Sequence, residues 1–328
     1  MPFLTAVTFP LDEKEMQILL SVLSGISELR CLPGLDPAQR TEVLAKAEVV
    51  LARSFARNEV DPGETGGLES ARLVQLIFAG VNNVPFTRMP DRVRVAGNAG
   101  AFAGPIAEHA LGMVLCLAKA MIPGHLGLTQ GRFESSVYSR ELRGGTCGII
   151  GMGGNGGAIA RLMKGVGLRV LGINRSGTST VDLDFAGTLA DMDKVLKTSD
   201  VVVLTVPLTR ETVNLIGRRE LNLMKPDAIL VNVARGKVID QGALYAHLKA
   251  TPSFSAGIDT WWSEPGDPEG FELDYPFFDL PNLIGSPHKA DHVPAMMQKA
   301  VKMAAENIRN FLEGKPIRGE VDRSDYRE

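Results

Sequence analysis

The stretch TCGIIGMGGNGGAIARLMKGVGLRVLGINRS, residues 146–176, decides how this 328-residue chain is read. Cys147, Gly148, Ile149 and Ile150 make a short apolar run of the length expected for a buried parallel strand. Gly151, Gly153 and Gly156 follow at G-x-G-x-x-G spacing, and a helical pattern over residues 155–165 puts Ile159, Leu162 and Met163 on one face. Val170, Leu171, Gly172 and Ile173 read as the next strand. In that setting each glycine has its own task. Gly151 permits the tight turn from strand to helix, Gly153 lets a pyrophosphate approach bare backbone, and Gly156 lets the helix pack closely on the strand. Free N–H groups and the positive end of the helix dipole face the phosphates. The spacing alone is weak in a chain with 35 glycines. Its position between a strand and a helix, with a second strand following, makes a dinucleotide site the expected reading.

The end of the second strand speaks to which dinucleotide. An acid that binds the ribose 2′-hydroxyl usually stands about 20 residues beyond the glycines. Here Asn174 takes that place, followed by Arg175 and Ser176. No carboxylate repels a 2′-phosphate, and a guanidinium with two short polar side chains can accept one. The sequence therefore favours NADP(H) over NAD(H), against the plainer alternative that Arg175 is a solvated loop charge.

Length suits two domains, and 45% apolar with 22% charged residues is ordinary for a globular protein. A net charge of −3 offers neither a basic patch for nucleic acid nor a polybasic membrane anchor. Cys31, Cys116 and Cys147 lie far apart without C-x-x-C or metal spacing and read as reduced, buried thiols of a cytoplasmic protein. No metal site is expected. Asp12 and Glu13 near the N-terminus, with no apolar h-region, argue against a signal peptide. The most apolar helix, residues 106–122, carries Glu108, His109 and Lys119, so it reads as a buried or interface helix and not a membrane span. Being apolar nearly all round it must be covered, and a homodimer is the expectation.

The first hundred residues alternate strands (3–9, 49–52, 73–78, 93–95) with helices (12–23, 36–47), the second helix opened by Asp36 and Pro37. That alternation points to a small parallel α/β unit. After the glycine turn come a helix (189–197), a strand (201–206), a short helix (221–224), a strand (228–233), a helix (241–249) and strands at 255–259 and 282–286. Together they predict a doubly wound sheet with crossovers on both faces. Thr188 and Asp191 resemble a weak capping pair. Residues 263–281 read as a surface loop, and 294–312 as a long helix ended by Gly314.

Ligands of such sheets bind beyond the carboxyl ends of the strands. Arg235 follows one strand, Asp259 and Glu264 the next, and His288 the last. An arginine, a carboxylate and a histidine around a nicotinamide suit hydride transfer to a 2-oxo acid. Arg holds the carboxylate and polarises the carbonyl, His gives or takes the proton, and a nearby acid raises the His pKa. Each residue singly is as well explained as a surface ion pair or a core histidine; the ordered set behind a dinucleotide fold is what carries weight.

With these residues in view, the chain resembles the D-isomer-specific 2-hydroxyacid dehydrogenase family over nearly its whole length, close to its glyoxylate and hydroxypyruvate reductases. The resemblance is carried by the glycine turn, residues 205–212, 232–240, 259–265 and 286–288, by Ala107-Glu108-His109-Ala110 and by Ala79-Gly80-Val81. It implies a doubly wound Rossmann dinucleotide-binding domain (residues 102–290, beginning with a lid and dimerisation helix) inserted in a smaller flavodoxin-like α/β substrate domain (1–101 plus 291–328). It implies an active site between them and a homodimer. It further implies that Arg235 binds substrate, that His288 is the general acid and base with Glu264 as its partner, and that Asp259 holds the nicotinamide carboxamide. Gly154, Asn155, Val206, Pro207, Thr212 and Ala234 would line the cofactor, and the Ala79–Gly80–Val81 loop would grip the substrate carboxylate.

Departures from the family pattern are Asn155, where a branched apolar residue is usual, Asn174, Asn82 for a frequent Asp, and Lys289 and Asp291 after the histidine. Lys289 is expected to point to solvent. Phe102, where some members place a polar pocket residue, hints at an aromatic wall and a substrate larger than formate. The alternatives are a bulkier D-2-hydroxy acid, or a dinucleotide-sensing scaffold like the family's corepressors; the intact Arg235, Glu264 and His288 favour an enzyme.

Overall fold

The computed structural model describes residues 2–55, 59–61, 63–136, 138–265 and 270–326. The chain divides into two compact units, Met1–Phe102 with Val293–Glu328, and Ala103–His292. In the first, β1 (Phe3–Val7), α1 (Glu13–Leu23), β2 (Ser27–Cys31), α2 (Pro37–Lys46), β3 (Val49–Ala52), β4 (Leu73–Leu76) and β5 (Arg94–Ala96) build a parallel sheet of order β2-β1-β3-β4-β5. Both helices start on capping boxes. The Asp12 carboxylate accepts from the Glu15 N–H while Glu15 reaches back to the Asp12 N–H, and Asp36 and Gln39 repeat the pattern with Pro37 at the first helical position. β2 was not anticipated. It is an edge strand whose residues alternate half-buried and exposed, so it has no apolar run to betray it.

The second unit follows with α3 (Ala103–Ala118), α4 (Met121–Thr129), β6 (Thr146–Ile150), α5 (Gly154–Gly165), β7 (Arg169–Ile173), β8 (Phe185–Gly187), α6 (Met192–Thr198), β9 (Val201–Leu204), α7 (Arg218–Leu223), β10 (Ile229–Asn232), α8 (Gln241–Ala250), β11 (Ser255–Ile258) and β12 (Leu283–Gly285). Its sheet is parallel with order β12-β11-β10-β9-β6-β7-β8. The order reverses at β6, which lies between β9 and β7, so the glycine turn leaves the sheet at a topological switch point. Successive residues feed opposite faces. Ile149 and Val203 enter one apolar core with α3 and α5, while Ile150 and Leu204 enter the other with Leu221, Leu244 and Phe254. This is why the strands read as continuous apolar runs. Last, α9 (Met296–Leu312) returns to the first unit and packs on α1 and β4.

Three expectations need correction. The apolar stretch is two helices, not one. α3 stops at Ala118, Ala120 turns with φ 49°, and α4 begins at Met121 with Pro123 in its first turn, where no intrahelical N–H is missed. No single helix among the described residues is long and apolar enough to cross a membrane; α3 and α4 reach that length only together, bent by 62°. Residues 263–281 are not wholly a surface loop. Phe277 is fully buried, stacked on Trp262 at 5.3 Å and edge-on to Tyr245, a burial that contributes roughly 1.5–3 kcal/mol. Finally, of the free thiols only Cys147 is buried, its pKa pushed up to about 12 by burial; Cys31 and Cys116 are partly exposed.

Candidate active site

The three glycines of the turn divide the work as a phosphate cradle requires. Gly151 has φ 108°, and a Cβ there would lie 2.8 Å from the Thr205 carbonyl carbon and the Val206 nitrogen. A Cβ on Gly156 would stand 2.0 Å from the Gly151 carbonyl oxygen. These two glycines are demanded by the protein's own packing. Gly153, the N-cap of α5, differs: nothing lies within 4 Å of its Cβ position. Gly153 and Gly154 are exposed and Asn155 half-buried at the helix start. Bare backbone at a helix N-terminus and the end of β6 fits the pyrophosphate of a dinucleotide.

After β7, the Asn174 side chain is built into its own loop. Its Nδ2 donates to the Thr178 carbonyl at 2.7 Å, and its Oδ1 accepts from the Gly177 N–H at 2.7 Å and the Ser176 hydroxyl at 3.2 Å. Arg175 is exposed and reaches Glu211 at 3.6 Å. Beyond β9, Val206 is half-buried and Pro207 exposed. Thr212 is buried, its hydroxyl accepting from the Thr209 N–H and donating to the Pro207 carbonyl. It shapes the Val206–Pro207 turn, where the sequence suggested a cofactor contact.

The ends of β10, β11 and β12 carry the reactive groups. After β10, fully buried Asn232 accepts from the Ala234 N–H at 3.0 Å and donates to the Arg235 carbonyl at 2.9 Å, fixing the turn that presents Arg235; Ala234 is buried beneath it. After β12, His288 adopts φ 45°, uncommon for a side-chain-bearing residue and characteristic of functional turns. Its Nδ1 lies 2.7 Å from Glu264 Oε2, and the other carboxylate oxygen accepts the Trp261 N–H at 2.9 Å. The hydrogen bond that His288 donates to Glu264 raises the His288 pKa above its ordinary 6.5, against burial and the Arg235 charge. Burial alone would raise Glu264, but its bonds to His288 and the Trp261 N–H, with the charges of His288 and Arg235, hold it below 4.5. Arg235, Glu264 and His288 are thus within electrostatic reach of one another.

Asp259 has a structural task within the protein itself. It is 1% exposed, and its carboxylate accepts from the Ser286 hydroxyl at 2.5 Å and from the Lys289 and Ala290 N–H groups. Its carbonyl takes the His288 N–H at 2.8 Å. The residue therefore fixes the loop that carries His288. His109, from α3, meets Ser286 Oγ at 2.8 Å. Lys289 is exposed, as expected. In the first unit, Ala79 is exposed, Gly80 half-buried and Val81 buried. Phe102 is 6% exposed and packs on Phe78 at 5.3 Å, so its ring belongs to that unit's interior and not to an open wall. Sequence reasoning missed Trp261 and Asn232, which act through backbone and amide groups; the motifs around Ser286 and His109 were noticed without a role for either.

Residues 111–290, more than half of the chain, match the model of the D-isomer specific 2-hydroxyacid dehydrogenase NAD binding domain. The chain belongs to the D-isomer specific 2-hydroxyacid dehydrogenase family. Among curated members, a glyoxylate reductase of Korarchaeum cryptofilum is 32% identical over 77% of this chain and 78% of its own. A D-3-phosphoglycerate dehydrogenase of Archaeoglobus fulgidus is 29% identical over 90% of this chain, which spans only 55% of that protein's length. A solved D-isomer specific 2-hydroxyacid dehydrogenase family protein from Aeromonas salmonicida shares the fold, with a TM-score of 0.80 at 24% identity, covering 98% of this chain and 100% of its own. The overall fold of this 2-hydroxyacid dehydrogenase family member is therefore shared with that solved relative.

Proposed function

We propose that the protein reduces a 2-oxo acid to the D-2-hydroxy acid, preferring NADPH to NADH. The observation that carries this reading is the 2.7 Å contact between His288 Nδ1 and Glu264, with the Arg235 charge acting on both, at the carboxyl ends of strands in the sheet that also carries the glycine turn. The nicotinamide cofactor, when bound, supplies the hydride. Arg235 binds the substrate carboxylate and polarises its carbonyl through forked donors. With Nδ1 engaged by Glu264, Nε2 of His288 is the atom left to give its proton to the carbonyl oxygen, and to take it back in the reverse direction. In the Ala79–Gly80–Val81 substrate loop, the backbone N–H groups of Gly80 and Val81 are proposed to grip the substrate carboxylate. The NADP preference rests on the absence of an acid at Asn174 and on the exposed Arg175 guanidinium at the end of β7. The protein acts as a homodimer, supported by the exposed apolar residues Met121, Ile122, Leu126 and Leu128 of α4 and the nearby Phe133. Three free cysteines suit a reducing, cytoplasmic setting.

The test is a panel of 2-oxo acids with each reduced cofactor, on the wild type and on Asn174→Asp. Cofactor oxidation with at least one acid, faster with NADPH, is expected, and the Asp variant should shift the ratio toward NADH. No oxidation with any acid refutes the enzyme reading, and an unchanged ratio refutes the cofactor assignment.

A further inference from the structure

We infer that Trp261 is a positioning residue that holds the Arg235, Glu264 and His288 segments in register. Four contacts of this one residue converge. Its backbone N–H donates to Glu264 Oε1 at 2.9 Å, leaving Oε2 for His288. Its indole N–H donates to the Ser286 carbonyl at 2.9 Å, and that same carbonyl accepts the His288 N–H at 3.0 Å, so the indole braces the turn that gives His288 its φ of 45°. Its peptide lies against Gly236, the residue after Arg235: a Cβ there would stand 2.2 Å from the Trp261 carbonyl oxygen and 2.1 Å from its carbon. Its ring covers the end of β12, where a Cβ on Gly285 would come within 2.5 Å of the indole. The residue is 7% exposed, and its ring packs against Phe278 and Phe271.

The physical consequence follows from geometry. A carboxylate shared between a fixed backbone N–H and an imidazole holds that imidazole at one place and orientation, provided both loops are fixed relative to each other. Trp261 supplies that fixity from both sides of the pair. Removing the indole N–H leaves the Ser286 carbonyl without its side-chain donor and loosens the turn, which Asp259 continues to hold from its other side. The His288–Glu264 contact then lengthens, and the protonated imidazole loses part of its stabilisation. The inference rests on the proposed roles of His288 and Glu264, but its first readout needs no turnover.

The experiment is Trp261→Phe, which keeps an aromatic ring and deletes the donor. The His288 titration is followed by imidazole NMR, and the pH profile of kcat is measured with and without Glu264→Gln. Expected are a His288 midpoint moved to lower pH, a pH limb moved with it, and kcat lower by about tenfold to a hundredfold with the cofactor KM unchanged. In the double variant the two losses should fail to add, because they act through one pair. A midpoint and limb equal to wild type overturn the inference, whatever happens to thermal stability. Should the wild type turn over no 2-oxo acid, the functional reading fails, and the His288 midpoint alone then judges Trp261. Should Trp261→Phe not fold, Trp262→Phe leaves one indole in a chain with two tryptophans. Its N–H resonance should then follow the His288 titration, and an invariant signal overturns the inference.

Discussion

At the scale of single residues, His288 and Glu264 form a pair whose two shifts have opposite signs. His288 binds its proton more tightly in the folded chain than its ordinary 6.5, so it stabilises the fold fully below that pH and stops doing so as pH rises through the higher folded value. Glu264 is held below 4.5, so its contribution is present above that pH and fades as pH falls through the lower folded value. The stabilisation by the pair is therefore greatest between pH 4.5 and 6.5. Glu264→Gln should lower the melting temperature most within that window and least at high pH, as thermal melts across a pH series would show. The same shift governs turnover. Reduction of a 2-oxo acid should be fastest with His288 protonated and decline as pH rises through its raised pKa. Glu264→Gln, by removing the largest cause of that shift, should bring the decline to lower pH. His288→Ala should lower turnover by about 10²-fold or more in steady-state assays; near-normal rates would mean the proton comes from elsewhere.

At the scale of elements, the turn from β6 into α5 separates two kinds of glycine. Gly156→Ala forces a methyl into the Gly151 carbonyl and should destabilise the protein by roughly 1–3 kcal/mol, the usual effect of overpacking. Gly153→Ala meets nothing within 4 Å. It should melt like wild type yet bind NADPH more weakly, as cofactor titration by fluorescence would report. A Gly153→Ala protein with unchanged affinity would mean that phosphate does not approach that backbone. This turn was legible because its spacing and flanks are local. So were the helices opened by Asp12 and Asp36, whose caps sit beside the residues they serve. The edge strands β2 and β8 were not, because Ser27–Cys31 is polar on one side and Phe185–Gly187 offers a single large apolar side chain. The break between α3 and α4 was not legible, and the stretch read as one helix, since an apolar tract carries no mark of where Ala120 will turn. Within the site, Arg235, Glu264 and His288 could be picked out by residue type. Trp261 could not, because half of its work is done by a peptide N–H that every residue but proline has.

At the scale of the whole molecule, α4 exposes Met121, Ile122, Leu126 and Leu128, and the following segment exposes Phe133 at 87%. If a second copy covers this surface, Leu126→Glu combined with Phe133→Ser should convert a dimer to a monomer in light scattering at micromolar concentration while leaving each unit folded. A wild type that is already monomeric would refute the dimer. The chain's path has a consequence for synthesis. The first unit is interrupted by the second and is finished only by α9, which buries Ala300, Val301, Ala304 and Ile308 against α1 and β4. A ribosome delivers residues in order. The sheet whose first strand is made earliest must therefore wait, with α1 and β4 lacking their cover, until the insert has been translated, so the unit begun first is the last to reach its native state.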